Sequence, residues 1–562
     1  MKSNPNKVEL ILEFPNVLVK NTTNPSSNLR KSLKNAGLFI SEVKEEKKLV
    51  RNNLTKSTSV GRYYLKSEIH AEEMNPWDQA HRSIAALNTF GAFAEPDLAH
   101  KQIVNNRKLS NNPNSKALSF SDDSVDADWP PKSNIIWHLE DDFSQLSSAR
   151  KRVANTTDFI PCIAHLDTGY TNHSIIPTSI RNNTFQKNFV EGENQNSALD
   201  KLVDGTLKMP GHGTGTLGLL AGRNLNIDTD NGIFNDHLGS APDAEVICCR
   251  ISSTVVLFKT SAFAQALNYI TDLHLSGHTI HVVSMSMGGA PSKAWTDAVN
   301  RAYMSGITLV CAAGNHFNGL PTRHLVFPAR YNRVIAACGV TQHFDPYLTK
   351  KLGEMQGCYG PDKFMNTALA AFTPNVPWAS EKSGRVKLSG AGTSSATPQI
   401  AGTAALYSAF HQDKLSQITT PWKKVEAVRN ALFSSAVHSS KYSEADNFTY
   451  FGQGILQANA ALDVPVKLNT VMSPEDSTPW FPILYTIFKS KNAPKESALE
   501  MMQIELNQLL YFHPELNAII DFQKDDISKI SKRKWKQLRE AVINHPETSE
   551  TLKNRLIQFP FK

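Results

Sequence analysis

The chain has 562 residues, 40% hydrophobic and 20% charged, a globular composition long enough for one large core with one or two smaller units. Lys+Arg 59 against Asp+Glu 52 leaves a net charge of +7, too small over this length for the basic stripe of a nucleic-acid binder. No run approaches the ~20 apolar residues of a membrane span, and the opening MKSNPNKVELILEF interrupts the apolar core a secretory signal needs, so a soluble, cytoplasmic protein is expected.

Residues 1–100 read as an apolar strand (VELILEF), a short helix near 28–36, a strand (LFISEV), a second strand (RYYLKSEI), a helix (PWDQAHRSIAAL) and a last strand (AFAEPDL). That β-α-β-β-α-β order predicts a small α+β, ferredoxin-like domain. Residues 101–133 are rich in Asn, Ser, Asp and Pro and poor in large apolar groups, which predicts an exposed linker.

Between 134 and 463, near-continuous apolar runs alternate with helical periods: FIPCIAHL, EVICCRI, TSAFAQALNYITDLHL, HVVSMSM, SKAWTDAVNRAYMSG, ITLVCAA and RVIAACGV. This alternation predicts an α/β domain whose doubly wound, mostly parallel sheet is flanked by helices on both faces. Ser292 is a candidate N-cap, and Gly277 and Gly306 are candidate helix stops. Cys162, Cys248, Cys249, Cys311 and Cys338 lie in the apolar runs, where cysteine behaves as a small hydrophobe. Cys358 falls in a loop-like stretch, and no Cys/His spacing resembles a zinc site, so a reducing compartment is favoured.

Residues 464–562 predict a helical tail with helices over 496–512 and 526–544. Its run SKRKWKQLRE around Trp535 reads either as a basic surface for docking a protein partner or as a solvated helix face.

Four motifs follow one another through the α/β region: LDTGY with Asp167, GHGTGTLGLLAG with His212, AAGN with Asn315, and GTSSATPQIAG with Ser394. Hydrolysis of an amide by a serine needs a hydroxyl, an imidazole to carry its proton, a carboxylate to fix the imidazole tautomer, and donors for the oxyanion. Asp167 closes an apolar strand, so its carboxylate is expected at the carboxyl end of the sheet. His212 opens a helix of small residues that something large must approach closely. Ser394 opens a helix carrying Pro398 in its first turn, and is also read as a plain N-cap. Asn315 ends a strand with an amide suited to reach a carbonyl. Taken singly, each motif also fits a turn, a cap or a strand end.

The four motifs, their order and their flanking strands resemble the subtilisin-like (S8) serine peptidase family over roughly residues 137–463. The resemblance implies a serine endopeptidase acting on polypeptides through an acyl-enzyme, with Asp167, His212 and Ser394 as catalytic triad and Asn315 as oxyanion donor. It implies that SMSMGG, with Ser284, Met285, Ser286, Met287 and Gly288, pairs with the substrate backbone. Val326 then faces the side chain preceding the cut, where an apolar wall disfavours Lys or Arg. Gly215 stands where the family commonly has a second His, and Ser395 and Thr397 where Met and Ser are common.

No cofactor is required by this reading. Relatives often bind calcium, but Asp228, Asp230 and Asp236 in NLNIDTDNGIFNDHLGS form no clear calcium motif, and no metal is assigned. By its layout the N-terminal domain resembles the propeptides that block subtilisin-like clefts. The alternative is a catalytically silent relative serving as an interaction scaffold.

Overall fold

The computed structural model describes residues 7–14, 31, 38–39, 61–70, 74–86, 92–98, 135–204, 208–229, 232–255, 259–317, 322–349, 354–380, 385–468, 496–520 and 531–558. The expected helix near 28–36 lies outside these apart from Lys31, and the 101–133 segment lies outside them entirely.

The N-terminal unit is a four-stranded sheet of β1 (Lys7–Phe14), β2 (Leu38–Phe39), β3 (Gly61–His70) and β4 (Phe93–Pro96), with helix α1 (Pro76–Ala86). The order β2-β3-β1-β4 is antiparallel throughout, with Leu10 opposite Leu65 and Leu12 opposite Ala94. A β-α-β-β-α-β chain generates this order, because the β1–β2 and β3–β4 connections each skip one strand position while β2 and β3 pair directly.

The central domain is built on β5 (Cys162–Asp167), β6 (Lys187–Asn188), β9 (Glu245–Arg250), β10 (Val282–Met285), β11 (Thr308–Ala312), β13 (Ile335–Val340) and β15 (Ala368–Phe372), with β7 (Asn224–Thr229) and β8 (Gly232–His237) as a separate hairpin. The seven strands pair in parallel in the order β15-β13-β11-β10-β5-β9-β6.

Side chains alternate between two apolar layers as the pleat requires. Cys162, Ala164 and Leu166 of β5 join Leu309 and Cys311 of β11 on one face, while Ile163 and Val310 point to the other. The first face is covered by α4 (Thr260–Leu275) and α5 (Lys293–Met304), the second by α2 (Leu146–Ala154), α3 (His212–Ala221), α6 (Thr393–Phe410) and α7 (Pro421–Ser434). Ser292 caps α5, accepting from Trp295 N, and Gly277 and Gly306 stop α4 and α5 at positive φ of 109° and 96°. Strand β15 had no counterpart in the sequence reading; nor had β12 (Asn315–Phe317), β14 (Met355–Gly357) and the hairpin of β16 (Val376–Ala379) and β17 (Val386–Gly390). All six cysteines are buried free thiols, Cys358 included although it lies outside any strand.

The C-terminal unit comprises α8 (Glu496–Phe512), α9 (Lys532–Asn544) and α10 (Glu550–Gln558), packed around Leu506, Leu509, Trp535, Leu538, Val542, Leu552 and Leu556. Helix α9 starts at Lys532, capped by Ser531, later than the period from 526 suggested. Trp535 is buried in this core while Lys532, Arg533, Lys534 and Lys536 are exposed. Among the described residues no helix is long and apolar enough to cross a membrane.

Candidate active site

The apolar run of β5 drives Asp167 to the carboxyl edge of the sheet, fully buried, where α3 begins with His212. His212 Nδ1 lies 2.7 Å from Asp167 Oδ1, and the Thr168 N–H donates to the same oxygen at 2.7 Å. The other oxygen, Oδ2, accepts from Thr216 Oγ1 at 3.1 Å, and Thr216 sits one turn along α3 from His212. His165, two residues before Asp167 and therefore on the same face of β5, stands 2.9 Å from Thr216 Oγ1 through Nε2. A chain His165, Thr216, Asp167, His212 results, in which each group orients the next.

Burial alone would raise the Asp167 pKa, but the His212 charge and hydrogen bond, with His165 and the Thr168 N–H, outweigh it and hold the carboxyl below its ordinary value. Burial drives His165 the other way, to about 4, so that it is neutral at physiological pH.

Ser394 is the second residue of α6, whose N-cap is Gly392 at φ 78°, so the serine is not itself the cap. Pro398 therefore lies in the second turn and not the first. Lacking an N–H, it cannot donate to the carbonyl four residues back, which is that of Ser394. Ser286 Oγ donates to this carbonyl at 3.0 Å instead. The Ser394 hydroxyl donates to Ser286 O at 3.3 Å, and no hydrogen bond among the described residues joins it to His212. Ser395 and Thr397 bond back to Ala391 O and Thr393 O, so their hydroxyls are satisfied at the start of α6.

Asn315 Oδ1 accepts from Thr393 N at 2.9 Å, which commits the amide oxygen to the residue before Ser394 and leaves Nδ2 beside Gly392. Ser284 and Met285 end strand β10 with buried side chains, while the chain continues past it through Ser286, which meets Ser394, and Met287 to Gly288, which lies beside Val326. Val326 is buried, and its methyls lie within 2.2 and 2.6 Å of where a Cβ on Gly288 or Gly314 would stand, so both glycines are required by this one side chain.

Sequence reasoning missed Arg250 at the end of β9, a fully buried guanidinium. It pairs with both oxygens of Glu193 at 2.8 and 2.9 Å, with Asp200 at 3.3 Å, and with Thr168 O. Asp200 Oδ2 in turn accepts from Gly211 N at 2.8 Å, just ahead of His212. This network ties the Asp167 turn to the start of α3. Its members are scattered along the sequence and carry no motif.

Residues 161–454 match the sequence model of the subtilase family, peptidase S8. The chain belongs to the subtilase family. The alkaline elastase YaB of Bacillus sp. (strain YaB) is 29% identical over 300 residues, covering 53% of this chain and 64% of that enzyme. Subtilisin DY of Bacillus licheniformis is 29% identical over 274 residues, 49% of this chain and 81% of that enzyme, and subtilisin Savinase of Lederbergia lenta is 28% identical over 300 residues, 53% and 89%. The chain thus spans less than two thirds of the elastase's length, and the part that matches the family lies within its central domain.

Within the subtilase frame, the departure at Gly215 has a structural cause. A Cβ on Gly215 would fall 1.9 Å from Cε2 of Trp378 on β16. The same indole meets His212 edge to face, with ring centroids 5.6 Å apart. A tryptophan from the β16–β17 hairpin thus takes the space beside the α3 histidine. No sequence signal pointed to Trp378, which lies far along the chain from His212.

Of the acidic loop, Asp236 accepts from the His237 N–H and faces Arg150 at 3.5 Å; the side chains of Asp228 and Asp230 lie outside the described residues.

Proposed function

We propose that the protein is an endopeptidase in which Ser394 Oγ attacks the scissile carbonyl of an extended polypeptide. The observation that carries this reading is the buried Asp167–His212 pair, joined at 2.7 Å with the second carboxylate oxygen also occupied. An ionised Asp167 keeps the proton on His212 Nδ1, so Nε2 offers its lone pair to the serine proton. For attack the Ser394 hydroxyl turns from Ser286 O toward His212. The tetrahedral oxyanion is met by Asn315 Nδ2 and by the Ser394 N–H at the positive end of α6. His212 then delivers its proton to the leaving amine, and water, deprotonated by the same imidazole, hydrolyses the acyl-enzyme.

The substrate strand lies along Ser286 to Gly288, with Val326 beneath the side chain before the cut. Because Val326 fills the space between Gly288 and Gly314, small or medium apolar residues are preferred there. No cofactor takes part.

We also infer that the N-terminal unit restrains the cleft. Supporting this, Glu95 of β4 accepts from Lys293 N and Ala294 N at 3.0 and 2.8 Å at the start of α5, and Asp97 accepts from Ser261 N at 2.8 Å at the start of α4. Carboxylates at helix N-termini satisfy orphan N–H groups and the helix dipole. Leu98, the next residue, packs with Val326 and Ala290, beside the proposed substrate strand. Wild type and Ser394→Ala, incubated with a denatured protein substrate and followed by intact mass, test both ideas. Substrate cleavage, and scission within 101–133, are expected in wild type alone. Equal substrate cleavage by the variant defeats the catalytic assignment, and a fully active, uncut wild type defeats the restraint.

A further inference from the structure

The C-terminal unit carries an interaction surface whose occupant is visible in the same chain. Gln508 of α8 is buried between two other units: its Oε1 accepts from Trp77 Nε1 of the N-terminal unit at 3.1 Å, and its Nε2 donates to Pro291 O of the central domain at 2.9 Å. A single amide thus bridges all three units. Asp78, at the start of α1, accepts from Glu550 N at 2.9 Å and from Thr551 N and Oγ1 at 3.1 and 3.0 Å, and so caps α10. Its neighbour Asn75 donates through Nδ2 to Glu547 O at 2.7 Å. Below these, Tyr511 and Phe512 pack with Ala290 and Val326 of the central domain.

The N-terminal unit is therefore gripped from two directions. Glu95 of β4 and Asp97 just after it fix it to α5 and α4, while α1 is held by α8 and α10. Polar groups matched this way on buried surfaces fit one partner and resist another, since any substitute would leave Gln508 or the α10 N–H groups unpaired. Ser549 Oγ caps α10 from within the tail, accepting from Leu552 N at 3.0 Å, and Asp78 adds acceptors for the two N–H groups ahead of it, so the partner completes the helix start without being its sole cap.

We propose that the C-terminal helical unit is a latch for the N-terminal unit, keeping it seated on the central domain even after the connection through 101–133 is severed. Cutting that connection then removes the tether, and with it the high effective concentration, but not the latch. This inference concerns binding and holds whether or not Ser394 is a nucleophile.

The test uses the full chain as Ser394→Ala, with a recognition sequence for a specific processing protease placed within 101–133. After cutting, the dissociation rate of the fluorescently labelled N-terminal fragment is read by dilution into excess unlabelled nicked protein. Asp78→Ala, Gln508→Ala and the milder Trp77→Phe, which removes only the indole donor, are compared with the unaltered interface; circular dichroism of each uncut chain checks its fold. The latch predicts dissociation at least tenfold faster for Asp78→Ala and Gln508→Ala, with Trp77→Phe intermediate. Rates within twofold of the unaltered interface for all three overturn it, as does loss of the fragment within the mixing time when the interface is intact.

Discussion

Ser286 Oγ donates at 3.0 Å to the carbonyl of Ser394, the one carbonyl of α6 that Pro398 leaves without its helical donor. The proline and the distant serine are two halves of one device, fixing the backbone that bears the proposed nucleophile against the segment along which substrate would lie. Ser286→Ala should cost about 1–3 kcal/mol, the price of a buried carbonyl left unpaired. Pro398→Ala restores a backbone N–H at that position, so the double variant should recover part of the loss. Urea denaturation of the four-member cycle measures the coupling, and strictly additive effects contradict the pairing.

At Gly215 the account predicts incompatibility with a larger residue. Gly215→His must displace Trp378, an overpacking worth about 1–3 kcal/mol. The same substitution in a Trp378→Ala background should be tolerated, and thermal unfolding of the single and double variants distinguishes this from an intrinsic intolerance of α3.

Arg250→Met leaves the buried carboxylate of Asp200 and the half-buried one of Glu193 without their shared cation. Breaking such a network by removing one partner typically costs about 3–5 kcal/mol. Because Asp200 also accepts from Gly211 N, kcat should fall along with stability, and adding Asp200→Asn to Arg250→Met should return part of both. Unchanged kcat in a folded Arg250→Met protein would show that the network braces only the fold.

His165 sets a pH window. Its folded pKa of about 4 lies below the ordinary value near 6.5, so the unfolded state binds a proton that the folded state refuses between those values. The associated stability is complete above about pH 6.5 and declines as the pH falls toward 4, by at most about 1.4 kcal/mol per pH unit. Asp167, held below its usual range, adds its loss only at lower pH. His165→Gln keeps a donor for Thr216 Oγ1 without titrating, so its stability profile should be flatter than wild type between pH 6.5 and 4.5; parallel profiles contradict this.

How much of this was legible in the sequence follows from how far each constraint reaches. Asp167 ends a strand and His212 and Ser394 sit at helix starts, where local pattern places residues well. Asn315 does not end β11, which stops at Ala312, but opens β12, a short strand whose pairing with β14 no local pattern announces. The two layers of the sheet were likewise written in contiguous apolar runs. Trp378 beside His212, Arg250 with Glu193 and Asp200, and Gln508 between Trp77 and Pro291 depend on groups brought together only by the fold. Pro398 shows the same limit over a short range: its place in α6 depends on where the helix begins, and Gly392, not Ser394, is the cap.

The central claim is that Ser394 is a nucleophile activated by His212 and Asp167. It is tested most directly by reacting the full chain with a fluorophosphonate and mapping the adduct by mass spectrometry, in wild type, Ser394→Ala and His212→Ala. The account predicts one adduct, on Ser394, absent from Ser394→Ala and slowed at least a hundredfold in His212→Ala. Labelling of Ser394 at the same rate without His212, or no labelling of Ser394 in a folded wild-type protein, would contradict it.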